Sequence, residues 1–265
     1  MHLLYPNSPL HSRQPDEQFA SEVDAVRAAG FQISLFSLEN FQGGEFRAVP
    51  AFPPGAVVLY RGWMLSAPEY GALVVALRHI GADPLISCEA YLASHHLPNW
   101  YPLIKDFTPE TRIFPADCDL EAELRALDWP EYFIKDYVKS LKTAIGSRIS
   151  RPEQVTAVIE DMHRFRGTVE GGFCVRRVEP FLPDTERRYF VADGIPYAAS
   201  GEVPSSVHEC VKRLTQRFYS VDVVQRTDGR IRIVEVGDGQ VSDLVGWTPD
   251  QFIRVLTRLE EESPR

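Results

Sequence analysis

Apolar positions in the first third of the chain alternate between short strand-like runs and stretches with a helical period. His2–Tyr5 is an apolar run of strand length, and Asp16–Ala29 follows a helical period until Gly30 stops it. Phe31–Leu35 reads as a second strand. Ala56–Tyr60 reads as a third, entered from the turn residues Pro53, Pro54 and Gly55. Ser66 is placed to cap a helix running through Ile80, with Pro68 and Glu69 in its first turn and Gly81 beyond its end. Pro84–Cys88 reads as a fourth strand. Strands separated by helices predict a parallel sheet in a small doubly wound α/β domain.

A link rich in His, Pro and aromatic residues, His95–Pro115, follows. Beyond it the pattern is mixed. Glu121–Ala126, Pro152–Phe165, Ser205–Gln216 and Thr248–Glu261 read as helices, and Tyr132–Asp136, Gly172–Phe181, Arg187–Val191 and Ile195–Ala199 as strands. The expected organisation is an α/β N-terminal domain over residues 1–115, link included, followed by an α+β domain over residues 116–265. Mixed lobes of this kind commonly leave a cleft between them, where ligands bind.

The segment from Phe218 to Val236 reads as a β-hairpin around Asp228-Gly229, the preferred dipeptide of a two-residue type I′ turn. With that turn, Thr227 faces Arg230, and Asp222 stands directly opposite Glu235. Directly opposed side chains have Cβ atoms roughly 4.5–5.5 Å apart, and like charges there repel. The other face pairs Val221 with Val236 and Val223 with Val234, which predicts a buried backing. Two carboxylates held together in this way call for a cation, and oxygen-only ligands favour Mg²⁺ or Mn²⁺. The same pattern also fits a solvated acidic pair on an exposed hairpin.

Composition narrows the class. The chain has 265 residues, with 44% hydrophobic and 25% charged, ordinary values for a globular protein. A net charge of −9 argues against a broad nucleic-acid or anionic-membrane surface. No apolar run approaches the roughly 18 residues of a membrane span, and Met1-His-Leu-Leu-Tyr-Pro lacks the regions of a secretory signal. Cys88, Cys118, Cys174 and Cys210 lie far apart, without metal-ligand spacing. They are expected to be reduced thiols in a cytoplasmic protein.

Two further stretches carry candidate chemistry. Lys135, Lys139 and Lys142 cluster at the end of an apolar strand and in the small-residue stretch after it; ammonium groups and loop N–H groups hold phosphate oxygens, although a solvated basic loop shares this pattern. No P-loop, GxGxxG, GxSxG or HExxH spacing occurs. Further on, Val178-Glu179-Pro180-Phe181-Leu182 forms a Pro-bounded hinge leading into a strand that begins at Glu186. Alternation puts Glu186 and Arg188 on one face of that strand.

A strand lysine, a loop, an apolar hinge with a glutamate and a closing acidic pair on neighbouring strands together resemble the ATP-grasp superfamily over roughly residues 116–245. The run Lys-Asp-x-x-Lys-Ser … Glu-x-Arg-x-Phe … Tyr-x-Val-Asp … Asp-Gly … Val-Glu-Val-Gly-Asp-Gly-Gln is similar to a sparsely characterised, amidoligase-like group of such proteins in bacteria and phages. The resemblance implies an α/β N-terminal domain followed by an α+β ATP-grasp fold, with the nucleotide in the cleft between two lobes. It implies that Lys135 contacts the ATP phosphates and that Lys142 or Lys139 covers them. Glu179, Pro180, Phe181 and Leu182 would hold adenine, Glu186 the ribose, and Asp222 and Glu235 the Mg²⁺. Arg188 is a candidate for stabilising the transferring phosphoryl group.

Two positions depart from the family pattern. Gly237 stands where many relatives have asparagine, so Asp238 is a candidate third metal ligand. Ser220 stands where better-studied ligases have arginine, which leaves Arg188, Arg177 and Arg61 as candidates for the oxyanion role. Arg61 follows the third strand, at the edge where doubly wound sheets bind ligands; it also has the option of packing on Trp63 as a structural cation–π pair. The implied activity is ATP-dependent carboxylate–amine ligation through an acyl-phosphate, acting on small-molecule or peptide substrates, with no nucleic-acid or membrane partner. A phosphotransferase and a catalytically silent nucleotide-binding module are the alternatives.

Overall fold

The structure, a computed structural model, describes residues 1–138, 140, 146–167 and 169–261, the side chain of Arg166 excepted. Lys139 and Lys142, expected to cover the nucleotide, lie outside the described residues. The chain divides into two compact units, residues 1–93, 187–221 and 237–265 on one side and residues 94–186 and 222–236 on the other. The boundary expected between residues 115 and 116 falls inside the second unit.

The first unit holds a parallel sheet in the order β2-β1-β3-β4, formed by β1 (His2–Pro6), β2 (Gln32–Phe36), β3 (Val57–Tyr60) and β4 (Asp83–Pro84). Helices α1 (Ala20–Ala28), α2 (Leu38–Gln42) and α3 (Ala67–His79) alternate with these strands. At α3 the Ser66 hydroxyl and amide both meet the Glu69 carboxylate, closing a capping box. The expected strand over Pro84–Cys88 shortens to β4 because Ser87 accepts from the Ala90 amide and opens helix α4 (Cys88–His95) instead. Leu3, Leu4, Val23, Val26 and Leu59 form the core with Phe252 and Val255 of the closing helix α9 (Pro249–Glu261).

In the second unit, the stretch expected to be a link is largely ordered. Helix α5 (Leu97–Ile104) buries Leu97, Trp100 and Ile104, with Pro98 in its unbonded first turn, and Thr111–Pro115 is a strand, β5. With β6 (Tyr132–Asp136), β7 (Arg148–Ile149) and β8 (Gly172–Arg177), it makes an antiparallel sheet in the order β5-β8-β6-β7. Helices α6 (Leu120–Leu127) and α7 (Val155–Arg166) cover one face. There Leu120, Leu124, Val158 and Met162 pack on Tyr132, Ile134, Phe173 and Val175. Strand alternation then puts Phe133, Lys135, Cys174 and Arg176 on the opposite face. A third sheet has the order β10-β9-β11-β12, from β9 (Arg187–Ala192), β10 (Ile195–Ala198), β11 (Phe218–Gln225) and β12 (Ile231–Asp238). Helix α8 (Ser205–Arg213) lies between β10 and β11 in the chain.

The hairpin turn differs from expectation. The Gly229 amide donates to the Arg226 carbonyl and the Arg226 amide to the Arg230 carbonyl, so the loop has three residues, Thr227 to Gly229. Gly229 has φ of +85°, whereas Asp228 is absent from the positive-φ residues, and a type I′ turn requires both. Asp228 is held otherwise: its carboxylate accepts from the Arg230 amide and pairs with Arg226 at 3.2 Å. A Cβ on Gly237 would lie 3.2 Å from the Ser220 hydroxyl, placing those two residues side by side. From Ser220 to Arg226 is six steps, but from Arg230 to Gly237 is seven, so β12 carries one extra residue. Within β12 the buried positions change parity between Ile233 and Val236, with Val234 and Glu235 less buried between them, which assigns the extra residue to that step. The bulge therefore comprises Val234 and Glu235, both set opposite Asp222.

Candidate nucleotide and metal site

Lys135 is the last but one residue of β6, a strand of β-forming residues whose alternate members, Tyr132 and Ile134, are anchored in the core. Its side chain is 3% exposed, yet its ammonium reaches within 3.7 Å of the Glu235 carboxylate. Asp222 is buried in the middle of β11, opposite the bulge that carries Glu235. Lys135 and Glu235 are thus brought together, with Asp222 on the strand that neighbours Glu235. Among the described residues no cluster of three or more His, Cys, Asp and Glu forms a metal-binding group. Asp222 and Glu235 are a pair of hard oxygen donors, the set that suits Mg²⁺, with an ammonium beside them.

The hinge runs antiparallel to the hairpin end. The Leu182 amide donates to the Gln225 carbonyl at 2.8 Å, the Pro180 carbonyl accepts from the Thr227 amide at 2.9 Å, and Phe181 bridges Arg226. These bonds engage Pro180 and Leu182, so the N–H and C=O of Phe181 are the pair facing away from the hairpin. Glu179 turns its carboxylate to two arginines: Arg226 at 3.0 Å and Arg232, which donates to both oxygens at 3.1 Å. Arg232 also ties down the carbonyls of Asp106 and Thr108. The residues beside this cluster, among them Tyr101, Lys105 and Glu110, line a cleft of about 470 Å³ that includes Glu179 and Pro180 but not Lys135, Asp222 or Glu235.

Other candidates lie elsewhere. Glu186 is exposed, directly before β9. Arg188 belongs to the first unit, where its guanidinium donates to the Asp243 carbonyl at 2.9 Å and its own carbonyl accepts from the Trp247 indole. Asp238 also belongs to the first unit. It is fully buried, and one carboxylate oxygen accepts from both the backbone and the side-chain amide of Gln240 at 3.0 Å. Gly237 is explained by its surroundings: the Ser220 and Ser242 hydroxyls, bonded to each other at 2.8 Å, each lie 3.2 Å from where a Cβ would sit, so an asparagine would have to displace them.

Arg61 is not a substrate clamp. It is 1% exposed, and its Nε and Nη2 meet both oxygens of Glu22 at 2.8 and 2.6 Å, while Nη1 donates to the carbonyls of Gly239 and Ser242. Its guanidinium stacks over Phe252, not Trp63, at 4.8 Å. Burial opposes its charge, but the Glu22 carboxylate outweighs that and raises its pKa above the ordinary value. Arg177 is half exposed, 3.7 Å from Glu110, and alternation puts it on the face away from Lys135.

Sequence reasoning passed over Arg176. It shares the face of Lys135, is 5% exposed, and donates from Nη1 to the Val234 carbonyl and from Nη2 to the Thr108 hydroxyl at 3.1 Å. Its guanidinium lies 5.5 Å over the Trp100 ring, and its Nε has no partner. Burial pulls its pKa down to about 10, partly offset by Glu235. The available signal was an arginine directly after an apolar run, on the parity of the lysine's cross-strand partner, Cys174.

The family described as ATP-grasp domain, clade family 3, matches residues 104–256, more than half of the chain. The chain belongs to this ATP-grasp family. No curated protein sequence matches it significantly. Among solved structures, this ATP-grasp protein has a fold similar to that of D-cycloserine synthetase DcsG, with 12% identity over 97% of this chain and 99% of that one and a TM-score of 0.67. It is also similar to the D-alanine–D-alanine ligase from Coxiella burnetii, with 10% identity, coverage of 98% and 95%, and a TM-score of 0.65. A third similar structure is the ATP-grasp ligase PsnB complexed with minimal precursor, Mg and ADP, at 14% identity, coverage of 97% and 98%, and a TM-score of 0.58. Among the described residues no helix is long and apolar enough to cross a membrane.

Proposed function

We propose that this ATP-grasp protein is an ATP-dependent carboxylate–amine ligase. The observation that carries the reading is the Lys135 ammonium 3.7 Å from Glu235, with Asp222 opposite, inside the matched ATP-grasp region. Asp222 and Glu235 would hold Mg²⁺, which when bound neutralises charge on the nucleotide phosphates. Lys135 fixes phosphate oxygens from the floor of the sheet. The hinge presents the Phe181 backbone to adenine, Arg226 and Arg232 hold that hinge through Glu179, and Glu186 lies next along the chain for the ribose. A substrate carboxylate oxygen takes the γ-phosphoryl group and ADP leaves. The amine then attacks the acyl carbon, inorganic phosphate departs and the amine loses a proton, leaving an amide. Positioning and electrostatics suffice, without a nucleophilic side chain. The named ligases of similar fold support this class, and the precursor bound to PsnB supports peptides beside small molecules as substrates. Four free cysteines, two of them buried, support a cytoplasmic setting.

The test measures ADP and phosphate release from Mg-ATP, with and without pooled amino acids, peptides and carboxylic acids, and follows products by mass spectrometry. The expected result is pool-dependent ADP release with a dehydrated adduct, abolished in Glu235→Gln. Transfer of phosphate to an alcohol without amide formation would replace the ligase by a phosphotransferase. Mg-dependent ATP binding without turnover across the pools would favour a nucleotide-binding module.

A further inference from the structure

The bulge in β12 needs something to hold it, because inserting a residue takes backbone groups out of the strand ladder. The Val234 carbonyl, inside the bulge, accepts from Arg176. A buried guanidinium is costly when nothing compensates its charge. Among the described residues no carboxylate comes within ion-pair distance of Arg176; its partners are a carbonyl, a hydroxyl and the face of Trp100. Arg176 is itself fixed, since β8 lies between β5 and β6, and Thr108 stands three residues before the start of β5. A rigid, planar donor is thereby aimed at one carbonyl of the bulge, one residue before the candidate metal ligand.

We propose that Arg176 is the positioning residue of the metal site: by fastening the Val234 carbonyl it holds the β12 bulge and keeps the Glu235 carboxylate on the side of Asp222 and Lys135. This rests on the ATP-grasp reading of Asp222 and Glu235. Without that bond the extra residue is free to relax along β12, and a one-residue slip turns Glu235 to the other face. Lysine in place of Arg176 keeps the charge but lacks the fork that reaches Val234 and Thr108 together.

Two measurements test the role in the full chain, on Arg176→Met, Arg176→Lys and Thr108→Val, with Arg177→Met as the comparison. The first is the Mg²⁺ concentration that half-saturates binding of a non-hydrolysable ATP analogue. Arg176→Met is expected to raise it 10-fold or more, Arg176→Lys and Thr108→Val by smaller factors, and Arg177→Met by less than 2-fold. The second is hydrogen exchange in the ligand-free protein, where amides from Ile233 to Val236 should exchange at least 10-fold faster in Arg176→Met while β6 is unchanged. A half-saturation within 2-fold of wild type, or unchanged exchange at the bulge, overturns the proposal. If wild type binds no nucleotide at any Mg²⁺ concentration, the ligase reading fails and exchange alone decides for Arg176. If Arg176→Met does not fold, Arg176→Lys and Thr108→Val decide by the same criteria.

Discussion

Glu22 and Arg61 form a buried ion pair in the first unit, and Glu22→Gln isolates it. The wild-type carboxylate accepts from Arg61 Nε at 2.8 Å, from Arg61 Nη2 at 2.6 Å and from the Tyr5 hydroxyl at 2.8 Å, all buried. A glutamine fills the same volume but turns an N–H₂ toward one of these donors and removes the charge that compensates Arg61. Hydrogen bonds to charged groups contribute about 1.5–3 kcal/mol each, and breaking one side of a buried pair costs about 3–5 kcal/mol. With a urea dependence near 2 kcal/mol per M, the midpoint should fall by roughly 1.5–2.5 M at unchanged slope. Equilibrium unfolding followed by the fluorescence of Trp63 and Trp247, both in this unit, reads that shift. The double variant Glu22→Leu with Arg61→Met, which removes both charges, should recover most of the loss, because hydrophobic replacement of a buried pair is often neutral. A midpoint shift below about 0.5 M in Glu22→Gln would refute the claim that Arg61 depends on Glu22 and would reopen Arg61 as a ligand-facing cation.

Other outcomes follow from single sites. Gly229→Val should cost about 1–2 kcal/mol, because a branched side chain resists the φ of +85° that closes the hairpin; an unchanged melting temperature would contradict the three-residue loop. His2, buried and bonded to Ser34, has its pKa lowered mainly by desolvation, so it folds neutral. Its contribution is present above the unfolded value near 6.5 and is lost as pH falls through the lower folded value. Melting temperature should therefore drop more between pH 7.5 and 5.5 in wild type than in His2→Gln. Cys174 and Cys210 are buried, with thiols pushed up to about 12 by desolvation, so they should resist alkylation at pH 8 until urea unfolds the chain; prompt labelling by mass spectrometry would refute that burial.

Local patterns were the most legible features. The strand carrying Lys135 is found at Tyr132–Asp136 as predicted, because Tyr, Phe and Ile suit a half-buried strand and the lysine falls on the face opposite the core. The Ser66 cap with Glu69 was equally plain. Features set by distant partners were not. Nothing near Arg61 indicates that Glu22, thirty-nine positions earlier, will claim it, so an arginine at a sheet edge reads as facing substrate. Pro98 and Pro102 concealed α5, whose short length tolerates them while Trp100 and Ile104 fill the core. Arg176 was hidden by its own strand: of two adjacent arginines at a strand's end, neither carries a label until the sheet register shows which face each occupies.

The hairpin shows how the expected pairing of Asp222 with Glu235 is reached through a turn other than the expected one. A two-residue turn would bring Asp222 opposite Glu235 directly. The three-residue loop moves the register by one, which alone would put Asp222 against Val234 and send Glu235 to the other face. The extra residue in β12 moves it back, and the junction of the two shifts falls on Val234 and Glu235. The carboxylate is thus aimed by a local irregularity instead of by regular pleating, which makes its direction depend on whatever holds the irregularity. Arg176 is the side chain bonded to that carbonyl, from a strand already fixed on both sides. A regular hairpin would leave the same carboxylate in place with no arginine needed, so the buried guanidinium and the bulge are best understood as one device.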